Sequence, residues 1–337
     1  MLLSVLHTIA TLVGIGMLGT AAYKTYDFLT LFFFSIPSPE AQLQQYKHAK
    51  THATTPANTP DPVHWALITG SSAGIGYGYA SHLLSLGFGV ILLAHIPTQV
   101  AEAEASLRSA YPDGSIRSVV LDCRTASIQE MRELVESVAD LRITVLINNV
   151  GGIPTSYPHF RPFEAFAPED IDAHFDMNAR FMTHLTGLML PHLIRNAHPR
   201  SLILNVTSAA RWGLPYLSMY SATKAHVSTF SHTLAREMKM FKKPVDCLLV
   251  VPGDVHSEGN CIGVAPGSPD ALQYGRMVLE RVDGAVARGR VEISAFWKHA
   301  LQIAALEWLP ESVTVEEAYR ASIRKKEAWA REHEKEE

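Results

Sequence analysis

His64-Trp65-Ala66-Leu67-Ile68-Thr69-Gly70-Ser71-Ser72-Ala73-Gly74-Ile75-Gly76 is an apolar run that ends in a glycine-rich turn and passes directly into a helical stretch from Ile75 to Leu86. The run His64 to Thr69 has the length and composition of a buried strand. Glycines at such a turn let the backbone bend sharply and approach a pyrophosphate, while the helix N-terminus offers free N–H groups to an anion. A tight strand-to-helix connection would use glycine too. The turn here joins the first strand of an alternating unit to its helix, which is the context dinucleotide binding requires. Gly70, Ser72, Gly74, Ile75 and Gly76 are therefore candidate cofactor residues.

Working outward, the alternation continues. Apolar runs at Gly89 to Ala94, Ile116 to Leu121, Thr144 to Asn148, Ser201 to Val206 and Asp246 to Val251 are separated by helical stretches. These lie near Gln99 to Ala110, Ile128 to Ala139, Pro168 to Asn196 and Ser218 to Met240. Strands that are apolar throughout and separated by helices predict a parallel sheet covered on both faces. The expected fold class is α/β, a doubly wound, Rossmann-like parallel sheet. Ligands bind such sheets outside the C-terminal ends of the strands.

The strand ends carry chemistry. Asp122, after the third strand, can accept a hydrogen bond from an adenine amino group, or cap the segment after Thr125. Asn148-Asn149-Val150-Gly151 closes the fourth strand, and two adjacent amides at a buried strand end must each find several partners. The fifth strand delivers Asn205-Val206-Thr207-Ser208, and the next helix carries Tyr220-Ser221-Ala222-Thr223-Lys224. Tyr220 and Lys224, at i and i+4, lie on one helical face, so the ammonium can favour the ionised phenol, whose free pKa is about 10. A surface pair would show the same spacing; the dinucleotide turn, the paired amides and a strand-end serine argue for acid–base work instead.

Thr69 to Gly76, Asn148 to Gly151, Ser208 and the Tyr220–Lys224 pair together resemble the short-chain dehydrogenase/reductase superfamily over about Val63 to Ser257. An N-terminal anchor, Val150 in the Asn148 to Gly151 run, and the Leu190-Pro191 and Tyr220-to-Lys224 stretches resemble the branch of very-long-chain 3-ketoacyl-CoA reductases and 17-beta-hydroxysteroid dehydrogenases. The resemblance implies that Tyr220 is the general acid and that Lys224 lowers its pKa and binds the nicotinamide ribose. It further implies that Ser208 polarises the substrate carbonyl and that Asn178 holds a proton-relay water. Asn149 is a cofactor contact by the same resemblance, and Pro252-Gly253-Asp254-Val255-His256-Ser257 is similar to the loop over the nicotinamide, with Val255 and Ser257 as contacts. Ser208 precedes Tyr220 by 12 residues, one fewer than in many members, which keeps Thr207 as a second candidate for the polarising hydroxyl.

At the end of the second strand stands His95, where an acidic residue would bind the ribose of NAD and an arginine the 2′-phosphate of NADP. With no carboxylate to repel a phosphate and an imidazole to attract it, NADP is favoured over NAD; a histidine that merely closes the strand is the alternative. The 16 histidines, His192, His198, His226 and His232 among them, form no compact ligand set, so no metal is expected. Beyond Ser257, Gly259, Gly263, Pro266 and Gly267 suit a mobile loop around the substrate. Ala295 to Leu309 reads as an apolar helix packed on the core, with lining a lipophilic pocket or touching a bilayer as alternatives. Glu311 to Glu337 reads as a solvated helix, and Lys335-Glu336-Glu337 carries lysine at one of the two positions a dilysine signal needs.

The N-terminus is a different material. From Leu2 to Tyr23 only His7 could carry charge, and 22 residues rise about 33 Å, enough for a hydrocarbon core of about 30 Å. A single transmembrane anchor over residues 1–36 is expected. A cleaved signal fits less well, because no Lys or Arg precedes Leu2 and the run exceeds an ordinary signal's apolar core. Phe28 to Phe34 suits an interface, and a proline-rich linker, 37–62, precedes a reductase domain at 63–310 and a charged tail at 311–337. Lys24, Lys47 and Lys50 follow the helix, which places the domain in the cytosol, and the expected site is the endoplasmic reticulum membrane. The 337 residues carry a formal net charge of -4 and no long basic run, which excludes the electrostatic footprint of a nucleic-acid binder. Cys123, Cys247 and Cys261 are odd in number and lack CxxC spacing, so small buried thiols in a reducing compartment are expected. Two readings result: an NADP-dependent reductase acting on a lipophilic small molecule or acyl-CoA, as a monomer or homodimer, or a catalytically silent nucleotide-binding scaffold. Intact Ser208, Tyr220 and Lys224 favour the enzyme.

Overall fold

The computed structural model describes residues 2–34, 36–47, 63–154, 159–197 and 199–333. The helix α1 spans Leu2–Leu29 and runs into a π turn at Thr30–Phe34. The domain then alternates β1 (His64–Thr69), α2 (Gly74–Ser85), β2 (Gly89–Ala94), α3 (Pro97–Ala110), β3 (Ile116–Val120), α4 (Ile128–Ser137) and β4 (Arg142–Asn148). It continues through α5 (Pro168–Phe175), α6 (Phe181–Asn196), β5 (Ser201–Val206), α7 (Ser218–Met240), β6 (Val245–Val250), α8 (Ala271–Ala287), β7 (Glu292–Ile293), α9 (Trp297–Trp308) and α10 (Glu311–His333).

The strands form one parallel sheet in the order β3-β2-β1-β4-β5-β6-β7, with the order reversing between β1 and β4. Successive strand residues point to opposite faces. Ala66, Ile68, Val90, Leu92, Val145 and Ile147 therefore join α2 and α8 in one core, and Leu67, Ile91, Leu93 and Leu146 join α4 and α6 in the other. The α2–α8 contact is held close by Gly78 and Gly275: a Cβ on Gly78 would come within 2.7 Å of the Ala271 carbonyl oxygen, and one on Gly275 within 2.8 Å of the Gly78 backbone.

The structure adds to and corrects the sequence reading in several places. The stretch Pro168 to Asn196 is not one α-helix; a π turn at Asp176–Arg180 separates α5 from α6. The short β7 and the helix α8 were not expected. The first part of the expected linker is docked: Leu43 and Tyr46 are buried, the Leu43 N–H donates to Asp283 Oδ2 at 2.7 Å, and the Tyr46 hydroxyl donates to Asp246 Oδ2 at 3.0 Å. The rest of that linker, residues 48–62 with Lys50, lies outside the described residues, as do His198 and the closing Lys335-Glu336-Glu337. Cys123 and Cys247 are buried, but Cys261 is exposed. Leu3–Phe34 is long and apolar enough to cross a membrane by length and composition. At its end, Leu31 and Phe32 are buried against the domain rather than left at an interface, and Asp27 pairs with Arg288 at 3.0 Å and with Arg290.

The apolar helix α9 is not a core helix. His299 and Ile303 are its buried residues, while Trp297, Leu301 and Trp308 are exposed. The charged tail is not simply solvated either. Lys325 Nζ donates to Asp254 Oδ1 at 2.9 Å, Asn260 Oδ1 at 2.8 Å and the Ile262 carbonyl at 3.2 Å. The loop expected to be mobile is thus pinned by α10.

Candidate active site

Each strand of the sheet ends at the same edge, and the candidate residues collect there. In the β1–α2 turn, Gly70 has φ 65° and Gly74 φ 57°, the left-handed region that side chains disfavour. A Cβ on Gly76 would lie 2.1 Å from the Gly70 carbonyl oxygen, so glycine alone lets the first turn of α2 pass under the loop. Ser71 locks the loop by donating to the Ile68 carbonyl at 2.9 Å and accepting from the Leu93 N–H at 3.0 Å. The N-cap of α2 is Ala73, with no side-chain cap, which leaves the opening N–H groups of the helix available to an anion.

Asn149 serves this turn. Its Nδ2 donates to the carbonyls of Thr69 at 3.1 Å and Gly70 at 3.2 Å, and Thr69 Oγ1 accepts the N–H groups of Asn149 and Val150, each at 3.0 Å. The amide nitrogen of the residue expected to touch the cofactor thus shapes the loop. Its neighbour Asn148 donates to Thr186 Oγ1 and Asn205 Oδ1, both at 2.8 Å, in a buried network between β4, α6 and β5. Ile75 is half-buried against the core, and Val255 is buried in it, so a contact that Val255 makes with a cofactor comes from backbone. Ser72 and Gly74 face Ser257 and Glu258 across a cleft of about 370 Å³ closed by the start of α8.

Arg124 is a residue the sequence reading missed. Its Nη2 donates to Asp122 Oδ2 at 2.7 Å and its Nε to Asp122 Oδ1 at 3.0 Å. These bonds hold the Asp122 carboxyl below its usual range, assisted by nearby His95. Asp122 is thus already paired, and the edge where an adenosine ribose would lie carries an arginine and an exposed histidine. The only signal for it was its place two residues after the strand-end carboxylate.

Between β4, β5 and α7 the proton-handling groups meet. The Ser208 hydroxyl lies beside the Tyr220 phenol, near enough to favour its ionised form, and accepts the Ala210 N–H at 3.1 Å. Thr207 is buried, donates to the Lys224 carbonyl at 2.6 Å and contacts Ser228 Oγ at 3.0 Å. Geometry therefore separates the two hydroxyls: Ser208 is beside the phenol, whereas Thr207 is tied to the α7 backbone. Lys224 is buried, and its ammonium donates to the Val206 carbonyl at 3.1 Å. Burial lowers its pKa to about 8. Tyr220 departs from expectation, because burial raises its pKa, the neighbouring Ser208 hydroxyl opposes that rise, and the depression expected from Lys224 is not among the causes.

Asn178 sits in the π turn between α5 and α6, an irregularity common at functional sites. Its Oδ1 accepts the Gly152 N–H at 2.9 Å and its Nδ2 donates to the Gly152 carbonyl at 2.9 Å. A Cβ on Gly151 would meet Lys224 Nζ at 2.5 Å and Asn178 Oδ1 at 2.8 Å. The bare glycine is what lets Lys224 and Asn178 approach each other. Ser208, Tyr220, Lys224 and Asn178 thus form one wall, continuous through Asn149 with the glycine turn.

That order of elements, turn and wall is matched by a family model. The model for short chain dehydrogenases matches residues 64–260. The chain belongs to the short chain dehydrogenase family. Among curated relatives, it is 31% identical over 176 residues to a very-long-chain 3-oxoacyl-CoA reductase-B of Danio rerio, covering 52% of this chain and 55% of the relative. It is 34% identical over 177 residues to the 17-beta-hydroxysteroid dehydrogenase type 3 of Homo sapiens, covering 52% and 54%. With a very-long-chain 3-oxoacyl-CoA reductase of Coprinopsis cinerea it shares 30% over 245 residues, 70% and 69% of the two chains. The chain spans about half the length of the first two relatives. Among solved structures, a short chain dehydrogenase from Salmonella enterica serovar Typhi superposes with TM-score 0.61 at 18% identity, covering 72% of this chain and 99% of that one. A short-chain dehydrogenase from Sphingobium yanoikuyae in complex with NADPH gives TM-score 0.57 at 21% identity, covering 74% and 98%. These structural likenesses establish the fold.

Proposed function

We propose that the chain is a membrane-anchored, NADP(H)-dependent oxidoreductase that interconverts a ketone and an alcohol on a lipophilic substrate such as a 3-ketoacyl-CoA or a ketosteroid. The observation that carries this reading is the buried ammonium of Lys224, 5.7 Å from the centroid of the Tyr220 ring, with the Ser208 hydroxyl beside the phenol. Burying a cation costs free energy, and a scaffold that only holds a nucleotide has no need to keep one there. The names of the curated relatives supply the substrate class.

The glycine turn fits a dinucleotide, since its geometry excludes side chains and leaves the α2 N–H groups open. A nicotinamide dinucleotide held there supplies the hydride. As the substrate carbonyl is reduced, its oxygen gains negative charge, and Tyr220 donates the phenolic proton to it. Ser208 donates a hydrogen bond to the same oxygen and so favours the charge that develops. Lys224, protonated below pH 8, stabilises the phenolate left behind. Solvent then restores the phenolic proton, and the resemblance gives Asn178, on the Lys224 side of the wall, the water that relays it.

NADP is preferred over NAD in this reading because β2 ends without a carboxylate and the neighbouring edge carries His95 and Arg124. The anchor is α1, which holds the domain at the endoplasmic reticulum membrane, an assignment that follows the resemblance. Lys24 and Lys47 after the uncharged run set the domain on the cytosolic side. The test is NADPH oxidation by the full chain against a panel of long-chain 3-ketoacyl-CoAs, ketosteroids and other ketones, with Tyr220→Phe as control. Turnover of the accepted ketone should fall about 10²-fold or more in the variant while NADPH binding persists. Undiminished turnover in Tyr220→Phe, or no oxidation with any ketone, rejects the proposal.

A further inference from the structure

The exposed face of α9 asks for a partner, and its position against α1 says which. The Trp297 ring lies 6.4 Å from that of Phe33, and Lys24 Nζ lies 5.0 Å from the centroid of the Trp308 ring. The helix α9 therefore runs antiparallel to the last turns of the N-terminal segment. Trp297 to Trp308 rises about 16 Å and Lys24 to Phe33 about 14 Å, so the two segments lie side by side over their length. Asp27, between the contacts, is held by Arg288 at 3.0 Å and by Arg290, which fixes the segment to the domain.

This alignment carries the α9–α10 corner to a definite depth. The uncharged run ends at Tyr23, one residue before Lys24, and Lys24 marks where a spanning helix leaves the hydrocarbon. Trp308 is 69% exposed and Val315 60%, and Leu309 and Val313 are exposed beside them. Indole rings settle at the headgroup level of a bilayer, where the ring is in apolar surroundings and the N–H remains wet. An exposed apolar corner at that level is placed for lipid.

We propose that the corner Trp308-Leu309-Pro310 is a second membrane contact, inserted in the interfacial zone of the bilayer beside the anchor. The inference rests on α1 being that anchor. It has a consequence for the site: α10 starts at the lipid surface and reaches Lys325, which grips the loop next to Ser257. The rise from Glu311 to Lys325 is about 21 Å, so the substrate loop lies no farther than that from the headgroups along this helix.

The experiment uses the full chain reconstituted in phosphatidylcholine vesicles, with and without lipids brominated on the acyl chain near the headgroup. The N-terminal helix contains no tryptophan, so quenching of indole emission reports the domain. The parent should be quenched by brominated lipid, and Trp308→Phe, which keeps an aromatic ring against Lys24, should lower the quenched share of emission roughly twofold or more. Trp297→Phe, at the Phe33 end, should leave it unchanged. Equal quenching in the parent and Trp308→Phe, or loss of quenching only in Trp297→Phe, overturns the proposal. Co-flotation of the chain with the same vesicles separates the two ideas: flotation without Trp308 quenching rejects the corner alone, whereas failure to float rejects the anchor and the corner together.

Discussion

Replacing Lys224 with Met should stabilise the fold while removing activity. An ordinary lysine titrates near 10.4, but burial has brought Lys224 to about 8. At about 1.4 kcal/mol per pH unit, that gap corresponds to about 3 kcal/mol spent on holding the charged form in the folded chain. Below pH 8 both folded and unfolded chains carry the proton, and the full cost is present. Between pH 8 and about 10.4 the unfolded chain binds more protons than the folded one, so stability rises with pH through that window. Met has similar length and no charge. It removes the cost and gives up the hydrogen bond to the Val206 carbonyl, which is worth about 1 kcal/mol. The net expectation is a gain of about 2 kcal/mol at pH 7, or about 3 °C in Tm for a chain of this size. Thermal unfolding of the full chain at pH 7 and pH 9.5 measures it: the variant should be more stable at the lower pH, and the two should be nearly equal at the higher. Turnover should collapse at both. A variant less stable than the parent at pH 7, or a difference independent of pH, would refute the reasoning.

Two further substitutions separate roles that the sequence left together. Ser208→Ala should lower turnover about 10²-fold with little change in stability, while Thr207→Val should keep most turnover and cost about 1–2 kcal/mol, because it strips buried hydrogen bonds from α7; denaturant titration alongside kinetics distinguishes the two. Arg124→Ala should weaken NADPH by about 1–3 kcal/mol and leave NADH nearly unchanged; dissociation constants for both cofactors check it, and a parallel loss for the two would mean that Arg124 acts only through Asp122.

Most of the fold was legible because a doubly wound sheet writes itself locally. The strands His64–Thr69, Gly89–Ala94 and Ser201–Val206 are continuous apolar runs, and their bounds in the structure coincide with those runs. The catalytic wall was legible for a related reason, since Tyr220 and Lys224 share one regular helix. What escaped depended on contacts between distant segments. The π turn that carries the buried Asn178 has no signature in an otherwise helical run, where α5 and the turn itself pack against α7. Thr207 and Ser208 are adjacent and chemically alike; which one faces Tyr220 is decided by Lys224, whose carbonyl takes the Thr207 hydroxyl. The direction of the Tyr220 shift was misread because helical spacing reports proximity to Lys224 and says nothing of burial.

The charged C-terminal helix is mostly solvent-exposed, as its composition suggests, with Ser322 buried among its described residues, yet one lysine on it has a structural task that charge alone does not disclose. Along α10, Arg320 bonds Glu316 and Glu317 on its own helix, the pattern of a self-sufficient solvent face. Five residues on, Lys325 bonds nothing on its own helix and instead reaches Asp254, Asn260 and the Ile262 carbonyl. Asp254 in turn accepts the Ala265 N–H at 2.6 Å and Asn260 Nδ2 at 2.8 Å. Burial would raise the Asp254 pKa, but these bonds and the ammonium together hold it below the usual carboxylate range, so the pair stays ionised at neutral pH. Both ends of the loop are thereby fixed to one point on α10, and Ser257 lies between them against the glycine turn. The Cβ that Gly74 lacks would sit 3.7 Å from that of Ser257. A loop rich in glycine and proline thus acquires a defined position from a lysine about seventy residues downstream, a coupling that neither segment's composition records.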